Sequence, residues 1–264
     1  MLGAIIGDIA GSRFEFRNIH TKNFELFGEG CHPTDDTIMT IAIAEAICHW
    51  RREGNGEYKK LSEDAEREMR SWGLRYPDAG YGAHFSMWLN DPEMKAYNSA
   101  GNGAAMRISP VGDAAKTIDE CIAMSRAVTE VTHNHPDGIR GAEATALQIF
   151  LARQGKDIGY LRQYEEEHYY PIESGFEALY ECYEPSFCCD MTCQPAFICT
   201  YQSTSFEDAI KSSISIGGDS DTISAIAGGI AEAYWGIPDD IKNKGLSYLN
   251  KEMQTAMRRF YSIL

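Results

Sequence analysis

The chain has 264 residues, of which 44% are hydrophobic and 24% charged, and these ordinary globular values exclude disordered, collagen-like and membrane-embedded classes of protein. Its 24 Lys and Arg residues against 39 Asp and Glu give a formal net charge of −15. Because an acidic surface repels a phosphate backbone, we do not expect free DNA or RNA as a partner. An anionic small ligand would need positive charge supplied locally.

We expect no targeting signal at the start of this sequence. Met1–Ala10 lacks the basic start, apolar run and cleavage site of a signal peptide, and no stretch approaches the roughly 18 apolar residues of a membrane helix. We therefore expect a cytoplasmic protein with reduced cysteines. Five cysteines crowd one segment without a CxxC pair or a histidine at ligand spacing: Cys182, Cys188, Cys189, Cys193 and Cys199.

Helical periodicity dominates the chain. Gly3, Gly7 and Gly11 are spaced four apart and predict a first helix with one face that carries no side chains. Each glycine costs about 1 kcal/mol relative to alanine in a helix interior. We therefore expect another helix to pack closely against this face. Apolar residues at helical spacing predict further helices at 34–50, 118–131, 138–153, 206–216, 222–235 and 248–261. Ser224–Ala233 is again rich in small residues. Strand signals are nearly absent, so we predict one all-α domain spanning 1–264, with the two small-residue helices in its middle.

An acidic motif, Thr34-Asp35-Asp36-Thr37, stands directly before the predicted helix at 34–50. By itself it is typical of a helix N-terminus, where a threonine caps and aspartates favour the helix dipole. The sequence Gly217-Gly218-Asp219-Ser220-Asp221-Thr222 repeats this chemistry before a second helix. The same acidic pattern therefore opens two helices that are far apart in the chain.

Two pairs of aspartates flanked by threonine hydroxyls offer the hard oxygen ligands that Mg²⁺, Mn²⁺ and Ca²⁺ prefer. Four carboxylates that meet without cations would repel one another. If the two helix starts converge, we therefore expect one or two divalent ions between them. The number of ligands favours two.

Four segments together resemble the landmark motifs of the ADP-ribosylglycohydrolase family, in the family's order: 3–16 (GAIIGDIAGSRFEF), 34–37 (TDDT), 101–107 (GNGAAMR) and 217–229 (GGDSDTISAIAGG). The resemblance covers nearly the whole chain. It implies an all-α fold around a binuclear Mg²⁺ or Mn²⁺ centre. It also implies an activity that releases ADP-ribose by cleaving the bond at the anomeric carbon of the distal ribose.

The resemblance assigns site residues by position. It implies the metal ligands Thr34, Asp35, Asp36, Asp219, Asp221 and Thr222. Glu15 matches a glutamate that in some members lies on a mobile loop near a metal, and the aperiodic segment 17–33 after it suits a lid. The proton-transferring carboxylate is expected among Glu15, Asp36 and Asp219.

The segment 101–107 is the candidate cradle for a diphosphate. Gly101 and Gly103 would let backbone N–H groups approach phosphate oxygens, and a helix N-terminus would add positive charge. Arg107 is interpreted either as a phosphate ligand or as a structural ion-pair partner. Ser99 and Asn102 are expected to donate or accept hydrogen bonds beside the cradle.

His133 lies in Val131-Thr132-His133-Asn134-His135-Pro136, where the family has a Thr-His pair near the substrate. It is therefore a candidate contact to the substrate ribose, whereas His135 precedes a proline and could simply end the turn. The aromatic segment 156–204 contains no residue that we assign to adenine stacking.

The resemblance leaves three possible substrates: ADP-ribosyl-arginine, ADP-ribosyl-serine and O-acetyl-ADP-ribose. An acidic surface should attract a guanidinium-bearing protein substrate, which favours arginine. Two other classes of function stay open: a non-catalytic protein that binds ADP-ribose, and a metal-dependent phosphohydrolase. Free ADP-ribose as the product would indicate glycosidic cleavage, whereas AMP and ribose phosphate would indicate phosphohydrolysis.

Overall fold

The computed structural model describes residues 1–54, 56–172 and 174–264. The helices are α1 (Leu2–Gly11), α2 (Asp35–Arg52), α3 (Tyr58–Arg75), α4 (Ala83–Asn90), α5 (Ser109–Ala114), α6 (Ile118–Thr129), α7 (Pro136–Arg153), α8 (Ile158–His168), α9 (Phe176–Cys182), α10 (Cys189–Tyr201), α11 (Phe206–Ser215), α12 (Ser220–Trp235), α13 (Asp239–Ser247) and α14 (Lys251–Tyr261). A 3-10 turn, Asn102–Ala104, lies between α4 and α5. No strand occurs within the described ranges, which confirms the all-α prediction.

The six helices predicted from apolar spacing correspond to α2, α6, α7, α11, α12 and α14. The predicted start of the last at position 248 is wrong. α14 begins at Lys251 because Asn250 caps it, its side chain accepting a hydrogen bond from Met253 N at 3.0 Å. α3 was not predicted, although Leu61, Ala65 and Trp72 recur at helical spacing and are buried.

The small-residue helices α1 and α12 cross in the middle of the fold, as predicted. Every residue of α1 is buried. A Cβ added at Gly7 would lie 1.9 Å from the carbonyl oxygen of Ser224, and one at Gly3 would lie 2.2 Å from that of Gly228. The Ser224 hydroxyl also donates to the Gly7 carbonyl at 2.7 Å. The helices thus meet backbone to backbone, a contact that only glycine permits at these positions.

The helix α10 runs through the segment that gave no clear signal in the sequence. Pro195 lies inside it and cannot donate to the carbonyl of Met191, four residues before it. The hydroxyl of Tyr183 donates to that carbonyl instead, at 3.1 Å. The carbonyl freed by the proline is therefore satisfied by a neighbouring loop, and the helix remains continuous.

The eight cysteines are all free thiols in the structure. Cys182 and Cys188 are exposed, and the other six are buried. Among the described helices, none combines the length and the apolar character that crossing a membrane requires.

Candidate metal and substrate site

The first acidic cluster lies at the start of α2. Thr34 is the N-cap, and its hydroxyl accepts a hydrogen bond from Asp36 N at 3.3 Å, while Asp35 N donates to the Ala79 carbonyl at 2.8 Å. The capping interpretation of this motif is therefore correct. It is compatible with a ligand role because the cap orients both aspartates toward one cavity, which Asp35 and Asp36 line.

The second cluster lies at the start of α12 and meets Glu15, which follows α1. One carboxylate oxygen from each of Glu15, Asp219 and Asp221 lies within 4.8 Å of the others. Thr222 joins the two clusters, because its hydroxyl donates to Asp36 Oδ2 at 3.4 Å. The two helix starts therefore converge, as the charge argument required.

Burial and mutual repulsion govern these carboxyl groups. Burial, followed by the charges of Asp219 and Asp8, raises the pKa of Glu15 to about 7. Burial, followed by Asp8, raises the pKa of Asp35 to about 8. The pKa values of Asp36 and Asp221 lie well above the usual range for the same kind of reason, burial first. The cluster therefore holds its negative charge poorly without a compensating cation.

The donor set fits a divalent cation. Asp36 is 2% exposed, and its Oδ1 has no hydrogen-bond partner among the described residues. A buried carboxylate oxygen without a partner is costly unless a cation or another donor reaches it. Oxygen ligands from two helix starts and Glu15 are the set that Mg²⁺ or Mn²⁺ prefers.

The cavity between these clusters has a volume of about 300 Å³. It is lined by all the predicted site residues except Thr34: Glu15, Asp35, Asp36, Ser99, Gly101, Asn102, Gly103, Arg107, His133, Asp219, Asp221 and Thr222. Thr34 lies behind the cluster, where its hydroxyl donates to Asp8 Oδ1 at 2.7 Å. The aromatic lining residues Phe85, Tyr97 and Phe187 were not predicted, because no local motif distinguishes them.

Asp8 is the buried residue that the sequence prediction missed. It is the only charged side chain in α1 and is fully buried. Its carboxylate accepts hydrogen bonds from the backbone and hydroxyl of both Thr34 and Thr37. A single acid in an otherwise apolar helix was the available signal, since such a group is seldom fully buried unless it is paired.

Asn102 faces the cavity, but its amide is used within the protein. Nδ2 donates to Asp219 Oδ2 at 2.6 Å and to Thr192 Oγ1 at 3.2 Å. Asn102 therefore orients a carboxylate of the second cluster, and its expected contact with the substrate stays a prediction. Oriented ligands of this kind are characteristic of metal sites.

The segment 101–107 differs from the expected helix N-terminus, because it forms only a 3-10 turn and α5 begins later, at Ser109. Gly101 N donates to Ser99 Oγ at 3.1 Å, and Asn102 N to the Phe187 carbonyl at 2.8 Å. Helix-dipole charge at this turn is consequently small.

Arg107 and His133 lie together beside this turn. Arg107 is 1% exposed and lines the cavity, and its Nε and Nη1 have no hydrogen-bond partner, carboxylate or other, among the described residues. Its Nη2 donates to Thr132 Oγ1 at 2.6 Å, and His133 lies next to both. The ion-pair interpretation of Arg107 is therefore wrong.

Asn18 joins the segment after α1 to the turn before α12. The Asn18 side chain donates to the carbonyls of Phe14 and Gly218, each at 2.8 Å, and accepts from Gly218 N at 2.9 Å. It thereby joins the loop that carries Glu15 to the turn that carries Asp219. The segment expected to form a lid is in this way attached to the turn before the second acidic cluster, and its role as a lid stays a prediction.

Comparison with known proteins shows the family. The family model described as ADP-ribosylglycohydrolase matches residues 1–261. The chain is 24% identical to the ADP-ribosylhydrolase ARH3 of Mus musculus over 90% of this chain and 83% of that protein. It is 25% identical to the ADP-ribosyl-(dinitrogen reductase) glycohydrolase of Rhodospirillum rubrum, over 98% of this chain and 91% of the relative.

Two further matches agree with this result. The ADP-ribosylarginine hydrolase Tri1 of Pseudomonas putida is 24% identical over 90% of this chain and 70% of the relative. A solved structure titled "ADP-ribosylglycohydrolase-related protein complex" has the same fold, with a TM-score of 0.66 at 21% identity, over 99% of this chain and 96% of that one. The chain therefore belongs to the ADP-ribosylglycohydrolase family, whose members are hydrolases acting on glycosyl bonds.

Proposed function

We propose that this protein removes ADP-ribose from arginine side chains of modified proteins by hydrolysing the bond at the anomeric carbon of the distal ribose. The observation that carries the proposal is the convergence of two acidic helix starts and Glu15 in one cavity, with Gly103 and His133 in the same lining. Such a cavity offers a cation site and a separate anion site to one substrate. We propose that residues 1–264 act as one domain.

Asp35, Asp36, Asp219, Asp221 and Thr222 would hold two divalent ions, Mg²⁺ or Mn²⁺. When bound, such ions supply positive charge beside the reacting sugar and lower the pKa of a water molecule. Thr34 supports this set from behind through Asp8, and Asn102 orients Asp219.

Glu15 is the proposed proton-transferring residue. Its carboxylate lies beside those of Asp219 and Asp221, where it can accept a proton from water or return one to the leaving group; without metal, burial and then the charge of Asp219 raise its pKa to about 7. Its position on the segment that Asn18 fixes to Gly218 brings it beside Asp219 and Asp221. Asp36 and Asp219 are the alternative carboxylates for this step.

Two facts support arginine as the acceptor. The net charge of −15 favours approach of a guanidinium-bearing substrate over an acidic one. One of the relatives is named an ADP-ribosylarginine hydrolase. Others are named ADP-ribosylhydrolase ARH3, without an acceptor. The two remaining acceptors, ADP-ribosyl-serine and O-acetyl-ADP-ribose, are the comparison substrates.

The test measures ADP-ribose release from these three substrates with Mg²⁺ and with Mn²⁺. We expect free ADP-ribose as the product and the highest kcat/KM on ADP-ribosyl-arginine. The variants Asp35→Asn and Asp221→Asn should each lower the rate by more than the roughly 10–100-fold typical of losing an outer-shell partner. Asp239→Asn, in the first turn of α13 and exposed, is the matched control and should be unaffected.

Two outcomes would refute the proposal. Full activity in both Asp35→Asn and Asp221→Asn would show that the acidic cluster takes no part in the reaction. Release of AMP instead of ADP-ribose would show that the protein is a phosphohydrolase.

A further inference from the structure

A second cavity lies at the opposite end of the α1–α12 pair from the acidic clusters. It has a volume of about 590 Å³, against about 300 Å³ for the cavity of the acidic clusters. On α12, Glu232 lines the second cavity and follows Asp221 by 11 positions, a rise of about 17 Å along the helix. No described residue lines both cavities. The second cavity is therefore separate from the proposed substrate site.

The apolar part of this lining is mostly aliphatic. Leu2 and Met257 are each 3% exposed, whereas Ile237 and Leu246 are half-buried and pack against the core. Tyr261 adds an aromatic ring from α14. Mostly apolar cavities of roughly 300–1,000 Å³ are typical of sites for small molecules. The size and the lining therefore suit the apolar body of a small organic molecule.

Three basic side chains line the same cavity: Arg153, Lys242 and Arg258. Arg153 is already paired, because its Nη1 donates to Asp113 Oδ1 at 3.1 Å. Lys242 and Arg258 are exposed and form no ion pair within the described part of the chain. The Arg258 guanidinium donates to the Thr255 hydroxyl at 2.9 Å. Two cationic groups are therefore available to bind an anion.

Glu232 is the only acidic residue among the described residues of this lining. Both of its carboxylate oxygens accept hydrogen bonds inside the protein, from Gly3 N at 2.7 Å and from the Tyr261 hydroxyl at 3.2 Å. The chain as a whole has a net charge of −15, so the charge at this cavity has the opposite sign to that of the molecule. Such a local reversal favours a negatively charged ligand.

We propose that the second cavity binds an aliphatic carboxylate, whose head group pairs with Lys242 and Arg258 and whose chain packs against Leu246 and Met257. A guanidinium matches a carboxylate in geometry and charge, and an ammonium adds a second positive charge. The aliphatic lining removes the chain of the ligand from water. This proposal depends neither on the acceptor nor on hydrolysis of ADP-ribose, and it can fail or hold independently of the proposed function.

The first test is calorimetry with straight-chain carboxylates from octanoate to dodecanoate. Each added CH₂ should tighten binding by about three- to fourfold until the cavity is filled. Decan-1-ol and decyltrimethylammonium carry the same chain as decanoate without its negative charge. The alcohol should bind about tenfold more weakly than decanoate or less tightly still, and the cation should not bind.

The second test removes the two charges one at a time. Lys242→Gln and Arg258→Gln change exposed side chains, so we expect both variants to fold. Each should weaken decanoate binding by about tenfold, whereas Lys242→Arg, which keeps the charge, should bind nearly as tightly as the wild type. Lys251→Gln is the matched control, since Lys251 is an exposed lysine at the start of α14 that does not line the cavity.

The third test locates the ligand by nuclear magnetic resonance of methyl groups. Decanoate should shift the signals of Ile237, Leu246 and Met257 and leave that of Met106, which lines the cavity of the acidic clusters. Saturating ADP-ribose should not displace decanoate, because no described residue lines both cavities.

Absence of binding throughout the carboxylate series would overturn the proposal. Equal affinities for decan-1-ol and decanoate would do so as well, since the cavity would then recognise the chain without the anion. Displacement by ADP-ribose, or a shift of Met106 in place of Met257, would put the carboxylate in the other cavity. Equal decanoate affinity in Lys242→Gln, Arg258→Gln and Lys251→Gln would show that the two charges do not bind the head group.

Discussion

The carboxylate of Asp8 accepts two hydrogen bonds from Thr34, from the backbone N–H at 3.0 Å and from the hydroxyl at 2.7 Å. Thr37 provides two more donors, its N–H at 3.0 Å and its hydroxyl. Asp8 belongs to the central helix α1, whereas the threonines flank the first acidic pair at the start of α2. The position of that pair is therefore fixed by a residue that does not line the cavity.

Replacement of Asp8 tests this connection. In Asp8→Asn an amide N–H₂ would face N–H and O–H donors, so we expect a loss of about 2–4 kcal/mol in the free energy of unfolding. Divalent-ion affinity should fall by about 10–100-fold, as it does when an outer-shell partner is lost. Chemical denaturation and metal titration measure the two effects. Asp119→Asn, an exposed first-turn aspartate of α6, is the control, and equal effects in both variants would contradict the argument.

The acidic cluster should also make stability depend on pH in an unusual direction. Glu15 and Asp35 have pKa values of about 7 and about 8 in the folded protein, above their values in the unfolded chain. Without metal the folded state therefore retains protons that the unfolded state has lost. Its stability should fall as pH rises from about 4 to about 8.

Thermal unfolding in chelator across this pH interval measures the effect. Mg²⁺ should reduce the fall, because a cation replaces the protons. Asp35→Asn removes one titrating group and should flatten the curve recorded in chelator. A melting temperature in chelator that rises steadily over the same interval would show that these carboxyl groups are not protonated in the folded protein.

Loss of the Asn18 side chain should release the loop that carries Glu15. Asn18→Ala removes the bonds to Phe14 and Gly218, so we expect a loss of about 1–2 kcal/mol in stability. Hydrogen exchange should accelerate in segments 13–20 and 217–219, and kcat should fall with it. Asn23→Ala, an exposed change in the same segment, is the control. Unchanged exchange in Asn18→Ala would show that other contacts hold the loop.

The backbone contact between α1 and α12 should tolerate no side chain. In Gly7→Ala the new methyl group would overlap the Ser224 carbonyl, and overpacking of this kind should cost about 3 kcal/mol or more. Gly56→Ala, where a Cβ meets nothing within 4 Å, is the control. Denaturation of both variants provides the comparison, and equal midpoints would show that the helices can move apart without cost.

The acidic part of the site was predictable because its signals are local. A threonine followed by two aspartates before an apolar run marks a helix start, and its repetition before α12 suggested convergence without knowledge of the fold. The contacts between Asn102 and Asp219, and between Asp8 and Thr34, were not predictable in the same way. The first pair is 117 positions apart in the chain and the second is 26 positions apart. A local sequence pattern does not reveal contacts over such separations.

The chemistry of the anion-binding side was harder to predict for a related reason. Glycine at 101 and 103 indicated a close approach, but the approaching group is the imidazole of His133 as well as any ligand. For Arg107 the sequence left two roles open; in the structure its Nη2 donates to Thr132 Oγ1 and the side chain lines the cavity, so a phosphate contact stays a prediction. Helix α10 escaped prediction because Pro195 normally ends a helix, and the hydroxyl that compensates for it comes from Tyr183.

The backbone contact between α1 and α12 limits the ways in which the substrate preference of such a protein can change. Backbone atoms have no alternative rotamers, so the distance between the helices that support the two acidic clusters has little freedom to vary. Other parts of the cavity wall include the loops around Tyr97 and Phe187, where substitutions leave that distance untouched. Acceptor preference can therefore diverge through these loops while the carboxylate spacing is inherited unchanged.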